Sequence, residues 1–436
     1  MTTVLSPSLL NEFSAYLEKE IGLYYPKNKW SDLVRGMQAA SKTFQFEDVG
    51  SCIQWLMSSR LSQKQIETLA SCLTIGETYF FRDSTVFQTL KEHILTPLIY
   101  KRRLENNQQL RLWSAGCASG EEVYSISIVL NELLHDINSW NISLLATDIN
   151  TEFLDKLTKG VYTEWSFRDI KSTIKKTYFN EISKEKYEIS PLIKKIVEPF
   201  YLNLCQDTYP SLINKTNAMD VIFCRNVLIY FSPNLIKKIF ENFFNCLVDD
   251  GCLIVGSSEL SLPNLDLFQV EFVNGVNIFR KKKQEVININ NEDIKFLLPE
   301  PKLLKKEVLA PNYKVLAQQC ANEGKLQEAL LWNDKAISKN KTDESLYYLR
   351  GIIQLELGND EEAIRTLNTA IFLNTNLILA YVVLGNIFHK QRKRKEAIKY
   401  FDHALMLLKN IDSNVMLGEI TAKRLIEVVS TMKDLE

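Results

Sequence analysis

Residues 110–130 read LRLWSAGCASGEEVYSISIVL, and this stretch decides how the centre of the chain folds. A short apolar run ends at a turn of small residues, and an apolar run of helical length follows two glutamates. A strand that leads through a glycine-containing turn into a helix is one half of a βαβ unit. Gly116 and Gly120 either let a ligand approach the backbone closely or form only a tight connection.

Around this turn, short apolar runs alternate with amphipathic segments between about residue 85 and residue 280. The strand-like runs are LRLWSAG, ISLLATD, MDVIFCRN, CLIVGSS and NIFRK. This alternation predicts an α/β domain with a mainly parallel sheet. A more polar stretch, residues 162–199, interrupts the pattern, and we interpret it as an insertion or small subdomain.

The flanking regions are predicted to be helical. Residues 8–75 have apolar residues at helical spacing, and Ser62 is a plausible N-cap of the segment QKQIETLASCL. The charged, Asn-rich stretch 281–310 suits a linker. We therefore predict a helical domain at 1–78, an α/β domain at 79–280, and a third domain at 311–436.

The third domain contains an internal repeat of 34 residues, seen in four registers. The matching positions are Tyr313, Tyr347 and Tyr381; Gly324 and Gly358; Ala329, Ala363 and Ala397; and Ala336, Ala370 and Ala404. This period is that of the tetratricopeptide repeat, in which helix pairs pack through small residues. Arg392 replaces the third glycine, and helical sequence beyond residue 410 is expected to cap the array.

The composition limits the classes of protein that the chain can be. With 52 basic and 53 acidic residues among 436, bulk electrostatic capture of nucleic acid is disfavoured. The eight cysteines show no CxxC spacing, and the four histidines no metal-ligand spacing, so we expect reduced thiols and no metal. We find neither a signal peptide nor an apolar membrane span, and expect a cytoplasmic protein without membrane insertion.

Several polar side chains follow the predicted strands and are candidates for a ligand site. The acidic pair Glu121–Glu122 at a helix start disfavours phosphate and suits a cationic ligand. Asp148 ends the second strand, where a carboxylate commonly binds ribose hydroxyls. Alternatively, Asp148 caps the helix that begins near Thr151.

Arg225 and Asn226 interrupt an apolar strand at its carboxyl end, and buried polar groups of this kind need partners. A ligand is one such partner, and a neighbouring acid is the alternative for Arg225. Tyr230 lies four residues beyond Asn226 and is expected to line the same crevice. Upstream, Thr78 and Arg82 flank a pair of phenylalanines, and we interpret this segment as a lid, or the aromatics as core residues.

Other catalytic constellations are lacking at the sequence level. None of these motifs contains a histidine, so no Ser/His/Asp or Cys/His arrangement is indicated. We interpret Cys117 and Cys224 as packing residues.

In order and spacing, ETYFFRD, RLWSAGCASGEEVYSISIVL, LLATDIN, LNLCQD, DVIFCRNVLIYF and GCLIVGSSE resemble the CheR family. These are S-adenosylmethionine-dependent methyltransferases that esterify glutamates on bacterial chemoreceptors. The resemblance covers roughly residues 8–280 and implies a Rossmann-like fold with an inserted β-subdomain. The repeats resemble those of one branch of this family.

The resemblance also implies residue roles. Glu122 is expected to meet the ammonium group of the cofactor and Asp148 its ribose, while Asn203 and Leu204 flank the adenine. Arg225, Asn226 and Thr78 are expected to contact the cofactor, with Arg82 close to the reacting methyl and Tyr230 beside the sulfonium; catalytic roles fall to Arg82 and Tyr230.

The chain departs from the family at three places. Gly76 holds the place of a frequent asparagine at the cofactor, and Val123 that of a usual proline. The stretch containing Arg60 and Lys64 is only modestly basic, although well-known members present a basic helix to the receptor.

The chemistry of methyl esterification agrees with these residues. A glutamate acceptor is already ionised near neutral pH, so no general base is required. We therefore predict a protein-glutamate O-methyltransferase that acts on a chemoreceptor or related signalling protein and whose repeats bind a protein or peptide partner. The alternatives are a cofactor-sensing scaffold without turnover and a methyltransferase for another substrate.

Overall fold

The computed structural model describes residues 5–259, 267–281, 312–413, 415–418 and 420–434. The predicted linker, 281–310, lies outside the described residues apart from Lys281. Among the residues described, no helix is long and apolar enough to cross a membrane.

Four helices form the N-terminal region, and their apolar faces share one buried cluster. They are α1 (Pro7–Ile21), α2 (Trp30–Thr43), α3 (Val49–Met57) and α4 (Gln63–Leu73). Ser62 caps α4 as predicted, because its hydroxyl accepts the N–H of Gln65 while the Gln65 side chain accepts the N–H of Ser62. This reciprocal pairing satisfies a backbone donor that the first helical turn leaves free.

In its described residues, the central region contains ten strands and seven α-helices, with a π-helix at Leu90–Leu95 between the first two of these helices. The strands are β1 (Gln109–Ala115), β2 (Asn141–Asp148), β3 (Val161–Thr163), β4 (Phe179–Ser183), β5 (Lys186–Ile189), β6 (Val197–Tyr201), β7 (Met219–Cys224), β8 (Leu247–Val255), β9 (Phe268–Val273) and β10 (Val276–Lys281). The helices are α5 (Ser84–Thr89), α6 (Thr96–Leu104), α7 (Glu121–Leu133), α8 (Thr151–Lys159), α9 (Ser172–Tyr178), α10 (Pro191–Lys194) and α11 (Pro233–Cys246).

Seven of these strands form one sheet in the order β6-β2-β1-β7-β8-β10-β9. The first five pair in parallel, and β10 runs antiparallel to both β8 and β9. The next strands of this sheet along the chain, β2 and β6, lie on one side of β1, whereas the later strands β7 and β8 lie on its other side. The strand order therefore reverses between β1 and β7. Such a reversal opens a crevice at the carboxyl ends of the strands, where α/β proteins bind ligands.

The predicted insertion contains a small antiparallel sheet, β3-β5-β4, as the family resemblance implied. The predicted bounds 162–199 are wrong at both ends, because β3 begins at Val161 and residues 197–199 belong to β6, which pairs with β2 in the central sheet. The fully buried ring of Phe80 contacts Tyr162, Phe167 and Phe179 from this insertion, at centroid distances of 4.9, 5.2 and 4.8 Å. Phe80 is therefore a core residue, and it anchors the segment that carries the predicted lid residues.

Three helix pairs form the C-terminal array. They are α12 (Tyr313–Asn322) with α13 (Leu326–Lys339), α14 (Glu344–Glu356) with α15 (Asp360–Leu373), and α16 (Ile378–Lys390) with α17 (Arg394–Leu408). All six repeated alanines are buried. Arg392 adopts φ +58°, close to the +77° and +79° of Gly324 and Gly358, so it keeps the left-handed turn without glycine. Two-residue strands β11 (Met416–Leu417) and β12 (Ile420–Thr421) lead into a final helix, α18 (Ala422–Asp434).

The array packs against the amino-terminal ends of the central strands, and α18 packs against the edge strand β6. Leu212, in the loop between β6 and β7, lies against two apolar clusters that together include residues of all three helix pairs. Ion pairs between described residues connect the two regions, among them Arg111 with Glu356, Lys390 with Glu198, and Arg424 with Asp207. Part of the surface of the repeats is thus covered by the protein itself.

Candidate active site

One cleft of about 260 Å³ lies where β1, β2, β6 and β7 end. All ten residues selected from the sequence line it: Gly76, Thr78, Arg82, Glu122, Asp148, Asn203, Leu204, Arg225, Asn226 and Tyr230. The structure therefore brings together residues that are up to 154 positions apart in the chain (76 to 230). Their individual roles towards a ligand stay predictions.

The turn after β1 requires its glycines. Gly116 has φ +76°, and a Cβ atom there would lie 2.3 Å from Cγ2 of Val227. Gly120 has φ +97°, and its Cβ would lie 2.7 Å from Cγ of Leu157. Side chains at either position would meet both backbone strain and a steric clash, so the backbone of this turn forms the floor of the cleft.

The two glutamates after this turn point to different places. Glu122 lines the cleft, and its Oε1 accepts a hydrogen bond of 2.8 Å from the Ser114 hydroxyl. Glu121 instead accepts from the hydroxyls of Ser119 and Ser166, at 2.7 and 3.0 Å, and burial raises its pKa. Of these two glutamates, only Glu122 therefore faces the cleft.

Arg225 connects the cleft floor to the lid segment. Its Nη1 lies 3.1 Å from Oε2 of Glu122, and its Nη2 donates to the backbone oxygen of Arg82 and forms an ion pair with Asp83. The alternative interpretation, that Arg225 pairs with a neighbouring acid, is confirmed. Its buried Nε has no hydrogen-bond partner within the described part of the chain, which leaves one donor unused.

Asp148 closes β2 with its carboxylate fixed by backbone groups. Oδ2 accepts the N–H of Ala118 at 2.9 Å, and Oδ1 accepts the N–H of Asn150 at 2.8 Å. Burial raises the pKa of this carboxyl to about 6, against these backbone hydrogen bonds, which lower it. The alternative that Asp148 caps the next helix is wrong, because the side chain of Asn150 accepts from Glu152 and Phe153 and caps α8.

Two predicted site residues bond to the lid segment, residues 74–82: Arg82 from within it and Tyr230 from outside it. Nη1 of Arg82 donates to the backbone oxygen of Glu77 at 2.8 Å. The Tyr230 hydroxyl accepts the N–H of Ile75 at 3.1 Å and donates to its carbonyl at 3.2 Å. Both side chains lie where residues 74–82 cross the cleft, in agreement with the lid interpretation.

Three functional neighbours were missed at the sequence level. Phe153 covers Gly76 so closely that a Cβ there would lie 2.2 Å from its Cζ. Glu259 accepts the N–H groups of Gly256 and Asn226, each within 2.9 Å, and so shapes the loop that presents Asn226. Its position at the end of GSSE, directly after a strand, was the available signal.

The third neighbour is Asp207, whose carboxylate accepts the N–H of Asn203 at 2.6 Å.

The two cysteines near the cleft are buried within apolar clusters, and burial raises the pKa values of both Cys117 and Cys224. Neither is a thiolate near neutral pH, which supports their interpretation as packing residues.

A doubly wound sheet with an inserted subdomain and a ligand-sized cleft at its switch point is the architecture expected of a Rossmann-like methyltransferase. Comparison with known proteins agrees. Residues 76–274 match the family model described as CheR methyltransferase, SAM binding domain. Residues 344–376 and 378–407 match a tetratricopeptide-repeat model.

Curated relatives extend the match. A chemotaxis protein methyltransferase of Borreliella burgdorferi is 33% identical over 223 residues, which cover 51% of this chain and 77% of that protein. Chemotaxis protein methyltransferase 1 of Pseudomonas aeruginosa is 30% identical over 276 residues, which cover 62% of this chain and 96% of that protein. The chain belongs to the chemotaxis protein methyltransferase (CheR) family, with S-adenosylmethionine as its cofactor and tetratricopeptide repeats at its C-terminal side.

Proposed function

We propose that this protein methyl-esterifies glutamate side chains of a chemoreceptor or related signalling protein in the cytoplasm. The observation that carries the proposal is the single cleft that joins Glu122 and Asp148 to Arg82 and Tyr230. A glutamate acceptor is ionised near neutral pH, so its oxygen attacks without a general base. The cleft residues then have to align the reactants and exclude water.

The residues present fit S-adenosylmethionine. The free donor of Arg225 and the acceptors of Glu122 suit an amino acid group, which carries both a carboxylate and an ammonium. The fixed carboxylate of Asp148 retains lone pairs for two ribose hydroxyls. When bound, the cofactor supplies a methyl group made electrophilic by its sulfonium sulfur.

Arg82 and Tyr230 are proposed as the catalytic residues. Arg82 has guanidinium donors beyond the one used by Glu77, and they suit a charge-assisted hydrogen bond to the incoming carboxylate. Too strong a pair would stabilise the ground state, so we assign Arg82 to positioning the acceptor carboxylate rather than to tight binding. Tyr230 borders the same space and orients the acceptor or packs on the sulfonium.

The test uses the labelled methyl group itself. Purified protein is incubated with S-adenosylmethionine carrying a tritiated methyl group and the cytoplasmic fragment of a chemoreceptor from the same genome. Glutamate methyl esters release labelled methanol at high pH, whereas methylated nitrogen or sulfur does not. Base-labile label that is lost in Arg82→Ala supports the proposal.

Two other outcomes would favour the alternatives. Titration with S-adenosylhomocysteine that shows binding to the protein but not to Asp148→Ala, combined with absent transfer to any receptor fragment, favours a cofactor-sensing scaffold. Base-stable label favours a different acceptor group.

We further propose that residues 1–78, 79–280 and 311–436 are the domains of this enzyme.

Partner recruitment is proposed for the face of the repeats that the central sheet leaves open. Phe372 is 84% exposed there, and Met406 occupies the corresponding position 34 residues later and is 52% exposed. Chemical crosslinking of the receptor fragment to the protein, compared with Phe372→Ser, tests this. Equal crosslinking would exclude Phe372 from the recruiting surface.

A further inference from the structure

The turn that follows β6 connects the cofactor cleft to a distant helix. Asn203 and Leu204 line the cleft, and the turn that carries them is closed by Asp207. The Asp207 carboxylate accepts the N–H of Asn203 at 2.6 Å, and the N–H of Asp207 donates to the Asn203 carbonyl at 2.9 Å. The position of the Asp207 side chain therefore fixes the backbone of the two residues assigned to the adenine side of the cleft.

Asp207 is itself held by α18, the last helix of the described chain. Nη2 of Arg424 lies 2.7 Å from Oδ2 of Asp207, and Nε donates to Oδ1, which makes the pair bidentate. Nη1 of Arg424 lies 2.8 Å from Glu427, and the guanidinium stacks 4.7 Å above the ring of Tyr201. The side chains of Arg424 and Asp207 are only 11% and 8% exposed.

In this geometry, one oxygen of the Asp207 carboxylate accepts two hydrogen bonds. Oδ2 of Asp207 accepts both the Asn203 N–H and the Arg424 guanidinium. Without Arg424, Asp207 would be a buried carboxylate without its bidentate partner, and such a group turns towards solvent. This rotation releases the Asn203 N–H and loosens the turn.

We infer that Arg424 is a positioning residue for cofactor binding, acting through Asp207 on Asn203 and Leu204. The inference rests on the proposed function of this cleft. Because coupling between sites is reciprocal, docking of α18 strengthens cofactor binding, and bound cofactor strengthens the docking of α18 by the same factor. A partner that draws α18 away from β6 would lower cofactor affinity, and bound cofactor would hold α18 in place.

The test measures S-adenosylhomocysteine binding by calorimetry with the full chain and with Arg424→Gln. We expect about tenfold weaker binding in the variant, the size typical of losing a charge-assisted pair that orders a site. In turnover assays, KM for S-adenosylmethionine should rise by a similar factor while kcat stays within about twofold, because no reacting atom is touched. Arg424→Lys keeps the positive charge but loses the bidentate geometry of the guanidinium. Its cofactor affinity should therefore lie between those of the wild type and of Arg424→Gln.

The matched control breaks another contact between the repeats and β6. Lys390 lies 3.0 Å from Glu198, which belongs to β6 and not to the turn closed by Asp207, and Lys215 remains as a partner of Glu198. Lys390→Met is therefore expected to leave cofactor affinity within about twofold of wild type. Thermal unfolding of each variant shows whether it is folded at the assay temperature.

The outcomes are distinct. Wild-type affinity in a folded Arg424→Gln variant, or equal weakening in Lys390→Met, overturns the role of Arg424. If Arg424→Gln is unfolded, cofactor affinity is measured in Asp207→Asn, in Arg424→Lys and in the double variant. Additive losses of affinity overturn the action of Arg424 through Asp207, and non-additive losses support it. Absence of binding by the wild-type chain instead overturns the proposed cleft assignment.

Discussion

Lowering the pH from about 7.5 to about 5 is expected to weaken cofactor binding through Asp148. Burial raises the pKa of this carboxyl from 3.8 to about 6. Ribose hydroxyls donate best to the ionised form. If only that form binds, the dissociation constant scales with 1 + 10^(pKa − pH), which is about 1 at the higher pH and about 11 at the lower. The predicted weakening is therefore about tenfold.

The same group has the opposite effect on the stability of the cofactor-free protein. Because the pKa of Asp148 is higher in the folded than in the unfolded chain, its ionisation costs folding free energy above about pH 6. The gap between 3.8 and about 6 corresponds to about 3 kcal/mol, and this cost disappears as the pH falls towards 4. As the pH falls, cofactor affinity should therefore decrease while the contribution of Asp148 to folding stability increases. General acid unfolding would instead lower both affinity and stability.

Calorimetric titration with S-adenosylhomocysteine at both pH values measures the effect. In Asp148→Asn, whatever affinity remains should show no tenfold step. Glu77→Gln is the matched control, because Glu77 lines the same cleft but its side chain is 62% exposed, so this variant should keep the step. Equal affinity of the wild type at the two pH values, with a native circular dichroism spectrum at both, would refute the reasoning.

Three further predictions concern single side chains. Arg82→Ala is expected to lower kcat by about 100-fold while S-adenosylhomocysteine affinity falls only a few-fold, and unchanged single-turnover rates would remove Arg82 from the mechanism. Gly76→Asn should lower the melting temperature because its Cβ would lie 2.2 Å from Phe153, with Phe153→Ala restoring part of the loss; an unaffected melting temperature would contradict this. Arg392→Gly should raise the free energy of unfolding in urea by about 1 kcal/mol, since φ is +58° at this position, and a loss of stability would show that the arginine is not strained.

The periodic features of the sequence predicted the fold well. The run 110–130 forms a strand, a turn and a helix as expected, and the 34-residue period forms three helix pairs. Both signals are local, because a strand end or a repeat register is visible in neighbouring residues. Most residues of the cleft could be selected for the same reason, since they follow a predicted strand end or lie in the lid segment. Asn203 and Leu204 were indicated only by the family resemblance, because β6 was not predicted as a strand.

Contacts between distant positions could not be read in this way. Nothing near Asp207 in the sequence indicates that its partner is Arg424, 217 residues later. The substitution at Gly76 raised doubt about one cofactor contact, but only the structure shows Phe153 in the space beside it. Local patterns locate a cleft, whereas the packing that fixes its walls depends on the whole chain.

The contact between the last helix and the cleft has a consequence for biosynthesis. A ribosome releases residues 76–274 well before it has made residue 424, so the nascent sheet and its cleft precede the partner of Asp207. A chain cut short by a premature stop or by proteolysis within the repeats would keep the cofactor fold but lack Arg424. Full cofactor affinity would then mark a chain translated at least through α18, and copies truncated before it would compete poorly for the methyl donor.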